Sequence, residues 1–301
     1  MTRHTIRPGL TLIELLVCGV ILVCALGFAW YHLTARRGCG GPSPRLMCLS
    51  NLKGIGTSCK IYANDFGNAW PVPAFDESAI GMIDYTVKAG SGQGSVRSPD
   101  RTLPSRGGPG GARQLSVTRA FWMLVRSGDV TARQFICPNS GDRADPTEKI
   151  NENYDFTAPE NVSYGLQVPF GPQRTRAGEW MDARVALIAD RGPYRDGRVA
   201  VLPPNLAMPK PRDNPMVWRP FNSQNHGGEG QNVLFADGHG EFAMRPIAGA
   251  DHDNIYTVAL DNTQFPSFMG GESPWVRSAP PYAPFTADGE PLASTDSVIF
   301  P

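Results

Sequence analysis

The chain has 301 residues with 28 basic and 28 acidic side chains, so its formal net charge is zero and bulk electrostatics give no reason to expect a nucleic-acid partner. With 41% apolar and 19% charged residues it can build one large domain or two small ones. Its 33 glycines and 28 prolines exclude a plain helical bundle and predict many turns and long irregular connections.

The amino terminus reads MTRHTIRPGLTLIELLVCGVILVCALGFAW. The run 15–33 contains no acidic or basic residue before His32, and approaches the roughly 20 apolar residues that carry a helix across a bilayer. Arg3, His4 and Arg7 precede it and Arg36 and Arg37 follow. A short basic leader before a first span stays on the cytoplasmic side, so the expected topology is a single pass with the amino terminus inside. A cleaved signal peptide fits poorly, because its apolar core is shorter and ends in a small-x-small site, whereas this run ends in Trp30-Tyr31-His32. A lipoprotein signal fits no better, since Cys18 and Cys24 follow Val17 and Val23. A plain anchor leaves Glu14 unexplained, and a carboxylate at membrane depth costs on the order of 3 kcal/mol.

GCGGPSP (38–44) is a breaker cluster, after which Leu46, Leu49, Leu52, Ile55 and Ile61-Tyr62 recur at helical spacing. The spacing predicts a helix over 45–63, packed by its apolar stripe on a sheet. Residues 88–114 are dense in Gly, Ser, Pro and Arg and read as a flexible insertion. Residues 117–138 read as a short amphipathic helix, a turn at Ser127-Gly128-Asp129, and a strand. Strands are expected in 161–170 and 184–192 from their β-branched and aromatic content. The clearest hairpin is QNVLFADGHGEFAM (231–244), with Asp237-Gly238 supplying the two positive-φ residues of a type I′ turn. From 262 to 301 the chain is a proline-rich extension.

The stretch Gly9-Leu10-Thr11-Leu12-Ile13-Glu14-Leu15-Leu16-Val17 resembles the processing site of type IV prepilins and type II secretion pseudopilins. The resemblance implies a leader of residues 1–9, cleavage by a prepilin peptidase between Gly9 and Leu10, and N-methylation of Leu10. It makes Glu14 the fifth residue of the mature chain, where the family carries its acidic residue. There the carboxylate can face the new α-amine of a neighbouring subunit, so that two charges too costly to bury singly become tolerable as a pair. Leu10 departs from the usual Phe, and the 38–44 break interrupts a helix that is continuous in typical relatives. Further along, CLSNLKGIG, IYAND, FICP, VSYG, ALIAD, NHGGEGQNVLFADGHGEF and DNIYT look like a prepilin-like family common in planctomycetes, whose carboxy-terminal signature is His-x9-Asp-Gly. Here ten residues separate His226 from Asp237, one more than that pattern.

The expected fold is therefore α+β and pilin-like: a transmembrane helix within 10–37, then a periplasmic domain over 38–261 in which a helix packs on an antiparallel sheet. The expected partners are a prepilin peptidase, other pilin or pseudopilin subunits and the inner membrane. Within the domain, Asp190, His226, Asp237 and His239 are residue types that bind metals or transfer protons. Asp237 and Gly238 have a sufficient role in a turn, and His226 can hydrogen-bond a loop, so structural hydrogen bonding is the expected role, with bound calcium the version open to test. No nucleophile elbow, phosphate loop or H-E-x-x-H motif is present, and neither catalysis nor a cofactor is expected.

Cys18 and Cys24 read as small apolar fillers of the span. Cys39, Cys48, Cys59 and Cys137 fall on the oxidising side, where four thiols allow three full pairings. Cys48 and Cys59 share a helix face but stand about 16 Å apart along it, too far to bond. The expected pair is Cys48 with Cys137, free thiols being the alternative. The function expected is a structural subunit of a type II secretion pseudopilus or type IV pilus-like filament; the alternative is a membrane-anchored binding module using Trp70, Trp180, Trp218 and Trp275.

Overall fold

A computed structural model of the chain describes residues 12–35, 43–74, 89, 116–169, 177–193, 209, 212–256, 258–259, 278–279, 297 and 299–300. The Gly9–Leu10 cleavage site, Cys39, Trp275, the insertion 88–114 apart from Ala89, and most of 262–301 lie outside the described residues. The chain divides into two units, Met1–Ser43 and Pro44–Pro301.

The first unit holds helix α1 (Leu12–Ala35), 24 residues long with Glu14 in its first turn. Its side chains are described over 12–28, and all of these are exposed. Among the described residues no helix is long and apolar enough to cross a membrane.

The second unit is α+β. Helix α2 (Pro44–Asp65) lies against an antiparallel sheet of β1 (Tyr164–Gln167), β2 (Ala186–Asp190), β3 (Gln231–Phe235), β4 (Gly240–Ala243) and β7 (Ile299–Phe300), in the spatial order β4-β3-β2-β1-β7. The four longer strands form a meander, each antiparallel to the next in sequence. β7 pairs Phe300 with Leu166, so the end of the proline-rich stretch belongs to this sheet. Two further short strands, β5 (Val258–Ala259) and β6 (Ser278–Ala279), pair separately.

The buried face of α2 is Cys48, Leu52, Ile55, Cys59 and Tyr62, spaced four and three apart, so one stripe of the helix meets the sheet. This corrects the expected stripe: Leu52, Ile55 and Tyr62 belong to it, but Leu46 and Ile61 are more than half exposed. The cysteines complete the face in their place, since a free thiol packs as a small hydrophobe. Gly56 sets the closeness of the layers, because a Cβ there would collide with Leu234 Cδ2 of β3. Each large side chain on this face contributes roughly 1.5–3 kcal/mol by burial.

Helix α3 (Thr118–Ser127) forms where the sequence predicts a short amphipathic helix, but every residue from Thr118 to Arg126 is buried rather than one face alone; its Phe121 and Trp122 enter an aromatic cluster with Phe135 and Phe156 at centroid distances of 4.8–5.2 Å. The strand expected next is instead a 3₁₀ turn, Ala132–Phe135. Gln134 Oε1 accepts the Thr131 N–H at 3.0 Å, a local bond that favours a turn over an extended ladder.

The 231–244 hairpin forms as expected, but its turn differs. Only Gly238 takes a positive φ, 90°, and Asp237 does not. Gly238 N–H donates to Phe235 O (2.9 Å) and Phe235 N–H to His239 O (2.9 Å), which makes a three-residue loop ending in a left-handed glycine rather than a type I′ turn.

Candidate functional site

Four side chains from four separate segments converge beneath α2. Cys48 comes from the first turns of α2, Cys137 follows the 3₁₀ turn 132–135, Asp190 ends β2, and His226 ends a 3₁₀ turn at Gln224–His226. One ligand atom of each lies within 4.8 Å of all the others, and all four residues are buried. The two sulfurs are 2.7 Å apart, His226 Nε2 is 3.9 Å from Cys137 Sγ, and His226 Nε2 is 3.2 Å from Asp190 Oδ2.

Local chemistry holds each donor in place. Ser223 Oγ accepts the Asn225 N–H at 3.3 Å, capping the turn that carries His226. Asp190 Oδ2 accepts the Asn232 backbone N–H (2.6 Å) and side-chain amide (3.0 Å), and Oδ1 accepts the Asn225 amide (3.1 Å). The carboxylate is fully buried, and these donors supply the hydrogen bonds that such a group needs. Nearby, Asp142 and Arg191 form a buried ion pair at 2.8 Å, with Ser163 Oγ donating to Asp142 at 2.7 Å. Arg191 also donates to Val162 O and Pro159 O, tying the β1 and β2 ends together.

The electrostatics of the four groups are coupled. Cys137 is held down to about 6, chiefly by the Cys48 thiol that it faces and further by His226, against the opposing effect of burial. Cys48 is pushed strongly up by its bond with Cys137 and by burial. Burial disfavours a charged His226, but Asp190 and Cys137 outweigh it and raise its pKa to about 9. Tyr164, hydrogen-bonded by Asn51, is also pushed up, by burial first and by Cys48 second.

This geometry limits the chemistry. Asp190 and Cys137 both approach the same imidazole nitrogen, so a Cys-His-Asp relay, which uses the two nitrogens for different partners, is not formed. The thiol pair can close a disulfide, as the sequence leads one to expect, or the four groups can serve as metal donors. Two sulfurs, one imidazole and one carboxylate do not resemble the six to eight oxygens that calcium takes.

Of the expected site residues, Cys48, Cys137, Asp190 and His226 come together. Asp237 and Gly238 do not join them: they form the exposed hairpin tip, where Asp237 accepts the His239 backbone N–H (2.8 Å) and side chain (2.6 Å). The first of these bonds holds the Asp237 carboxyl below its ordinary range. Glu14 lies in the other unit. Asn225 and Asn232, which position Asp190, were not legible in advance; only their place beside His226 and at the head of β3 hints at them. Of the four tryptophans, Trp70 and Trp218 are core residues, Trp180 is exposed and Trp275 is outside the described residues, so they make no common recognition surface among the described residues. Compared with known proteins, the chain matches no family model, no curated protein and no solved structure.

Proposed function

We propose that this chain is a prepilin-like structural subunit, cut after Gly9, methylated on Leu10, held at the inner membrane through the apolar run 15–33 of its sequence and assembled into a pseudopilus or pilus-like filament with its second unit outside. The observation that carries the reading is the order of features around Glu14. A basic leader ends in Gly9, an apolar run follows at once, and the single acidic residue of that run stands in the first turn of a 24-residue helix. Such a carboxylate suits an amine partner that exists only after cleavage. An α+β unit with a helix laid on an antiparallel meander is compatible with a pilin-like globular domain.

Co-expression with a prepilin peptidase tests it. The expected product has lost Met1–Gly9 and gained one methyl group by intact mass; a chain that keeps its leader overturns the proposal in favour of a simple anchor. In the processed chain, Glu14→Gln is expected to leave cleavage unchanged and to abolish incorporation into filaments. The binding-module alternative has one observation in its favour, an open cavity of about 220 Å³ lined by Lys53, Thr57, Lys60, Trp70 and Phe235.

A further inference from the structure

The donor set beneath α2 contains a hydrogen-bonding conflict. His226 Nε2 faces Asp190 Oδ2 at 3.2 Å and the Asn232 side-chain amide nitrogen at 3.1 Å. A protonated Nε2 satisfies the carboxylate but opposes the amide; an unprotonated Nε2 satisfies the amide but opposes the carboxylate. Turning the Asn232 amide over does not help, because its oxygen would then face the Asp190 carboxylate. As placed, that oxygen is buried with no hydrogen-bond partner. A cation seated among the donors removes the conflict, since Nε2 and Oδ2 both then direct lone pairs at it and Asn232 donates to Asp190 alone.

The rest of the arrangement is what a thiophilic ion requires. Two cysteines, a histidine and an aspartate make a four-donor set of the kind that holds zinc tetrahedrally. The donors arise on four segments, so the site exists only in the folded chain. Asp190 is oriented by three N–H bonds from Asn225 and Asn232, the outer support that ligating carboxylates carry. The sulfurs at 2.7 Å are closer than two zinc ligands, which stand roughly 3.7 Å apart at the usual Zn–S length, so entry of the ion must part them by about 1 Å.

We propose that, when Cys48 and Cys137 are reduced, these two residues with Asp190 and His226 bind one divalent cation of the zinc class. Binding releases the thiol protons and the proton on His226 Nε2; exchange with a disulfide reagent, which takes up the two electrons and is reduced to its thiols, closes a Cys48–Cys137 disulfide, removes two of the four donors and expels the ion. The site is then either a metal clamp or a disulfide, both joining α2 to the segment after the 132–135 turn. This inference is independent of filament assembly.

The test uses the full chain in detergent, reduced and free of metal, titrated with Co²⁺ and then Zn²⁺. The expected result is one equivalent of Co²⁺ with thiolate-to-metal charge transfer and tetrahedral d–d bands, displaced by Zn²⁺. Cys48→Ser and Cys137→Ser are expected to lose the charge-transfer band, Asn232→Ala to weaken binding about tenfold, and Cys59→Ala, which keeps an apolar side chain at that buried position, to leave the bands unchanged. A reduced wild-type chain, folded by near-ultraviolet circular dichroism, that shows no thiolate charge transfer overturns the proposal. Because a serine variant can fail to fold, the wild type also supplies a second readout. Oxidation by a disulfide reagent is expected to abolish the bands, and their persistence in chain shown by mass to carry the Cys48–Cys137 bond overturns it equally.

Discussion

Helices α1 and α2 are nearly equal in length, 24 and 22 residues, yet they are built for different surroundings. α1 is apolar on every side and all its described side chains are exposed; α2 mixes polar and apolar residues and buries one stripe against β3. The two helices are almost equally weak in apolar periodicity; what separates them is apolar content, since α1 offers almost no polar face while α2 keeps enough polar residues to meet water on one side and bury a stripe on the other. A helix apolar nearly all round has no preferred side to bury.

Four substitutions break or sharpen that contrast within the second unit and across the two. The largest loss is expected for Asp142→Ala, which leaves buried Arg191 without its carboxylate: about 3–5 kcal/mol by denaturant unfolding. Leu52→Ala truncates a fully buried side chain of the α2 stripe and is expected to cost about 3 kcal/mol, read in the same way. If it costs less than about 1 kcal/mol, α2 is not the core element described here.

The third concerns His226 in reduced, metal-free protein. Its folded pKa of about 9 exceeds the ordinary value of 6.5, so its contribution is fully present below pH 6.5 and is lost as pH rises through 9. Wild type should exceed His226→Gln by roughly 2–3 kcal/mol at pH 6, with the gap closing by pH 10. A gap that widens with pH contradicts the Asp190–His226 ion pair. The smallest effect is expected in α1: Leu22→Ala should move the melting of the second unit by less than about 0.5 kcal/mol, since Leu22 is exposed in a separate unit.

Much of this was legible in local pattern. The helix over 45–63, the strands at 164–167 and 186–190 and the hairpin at 231–243 all follow from periodicity and turn residues over short windows. The rotation of the α2 stripe did not, because Cys48 and Cys59 count as ambiguous until something packs on them. The strand expected near Phe135 failed because a Gln134–Thr131 hydrogen bond won over β-branched content. Asp-Gly suggests a positive φ at Asp237 as well as Gly238 because the dipeptide is shared by two hairpin loops of different length.

Local sequence pattern was enough for α2, α3, the four longer strands and the apolar run with its single carboxylate, and it offered Cys48 with Cys137 as one pairing beside free thiols; the two sulfurs do face each other, as free thiols. That Asp190 and His226 meet those two sulfurs while Asp237 stays at an exposed tip follows from the packing of distant segments. The physical reason is distance along the chain. Propensity and turn chemistry act over a few residues, whereas Cys48 and Cys137 lie 89 residues apart, as do Cys137 and His226. Their meeting is set by the register of an antiparallel meander and the closeness of α2 to it, which no local window contains.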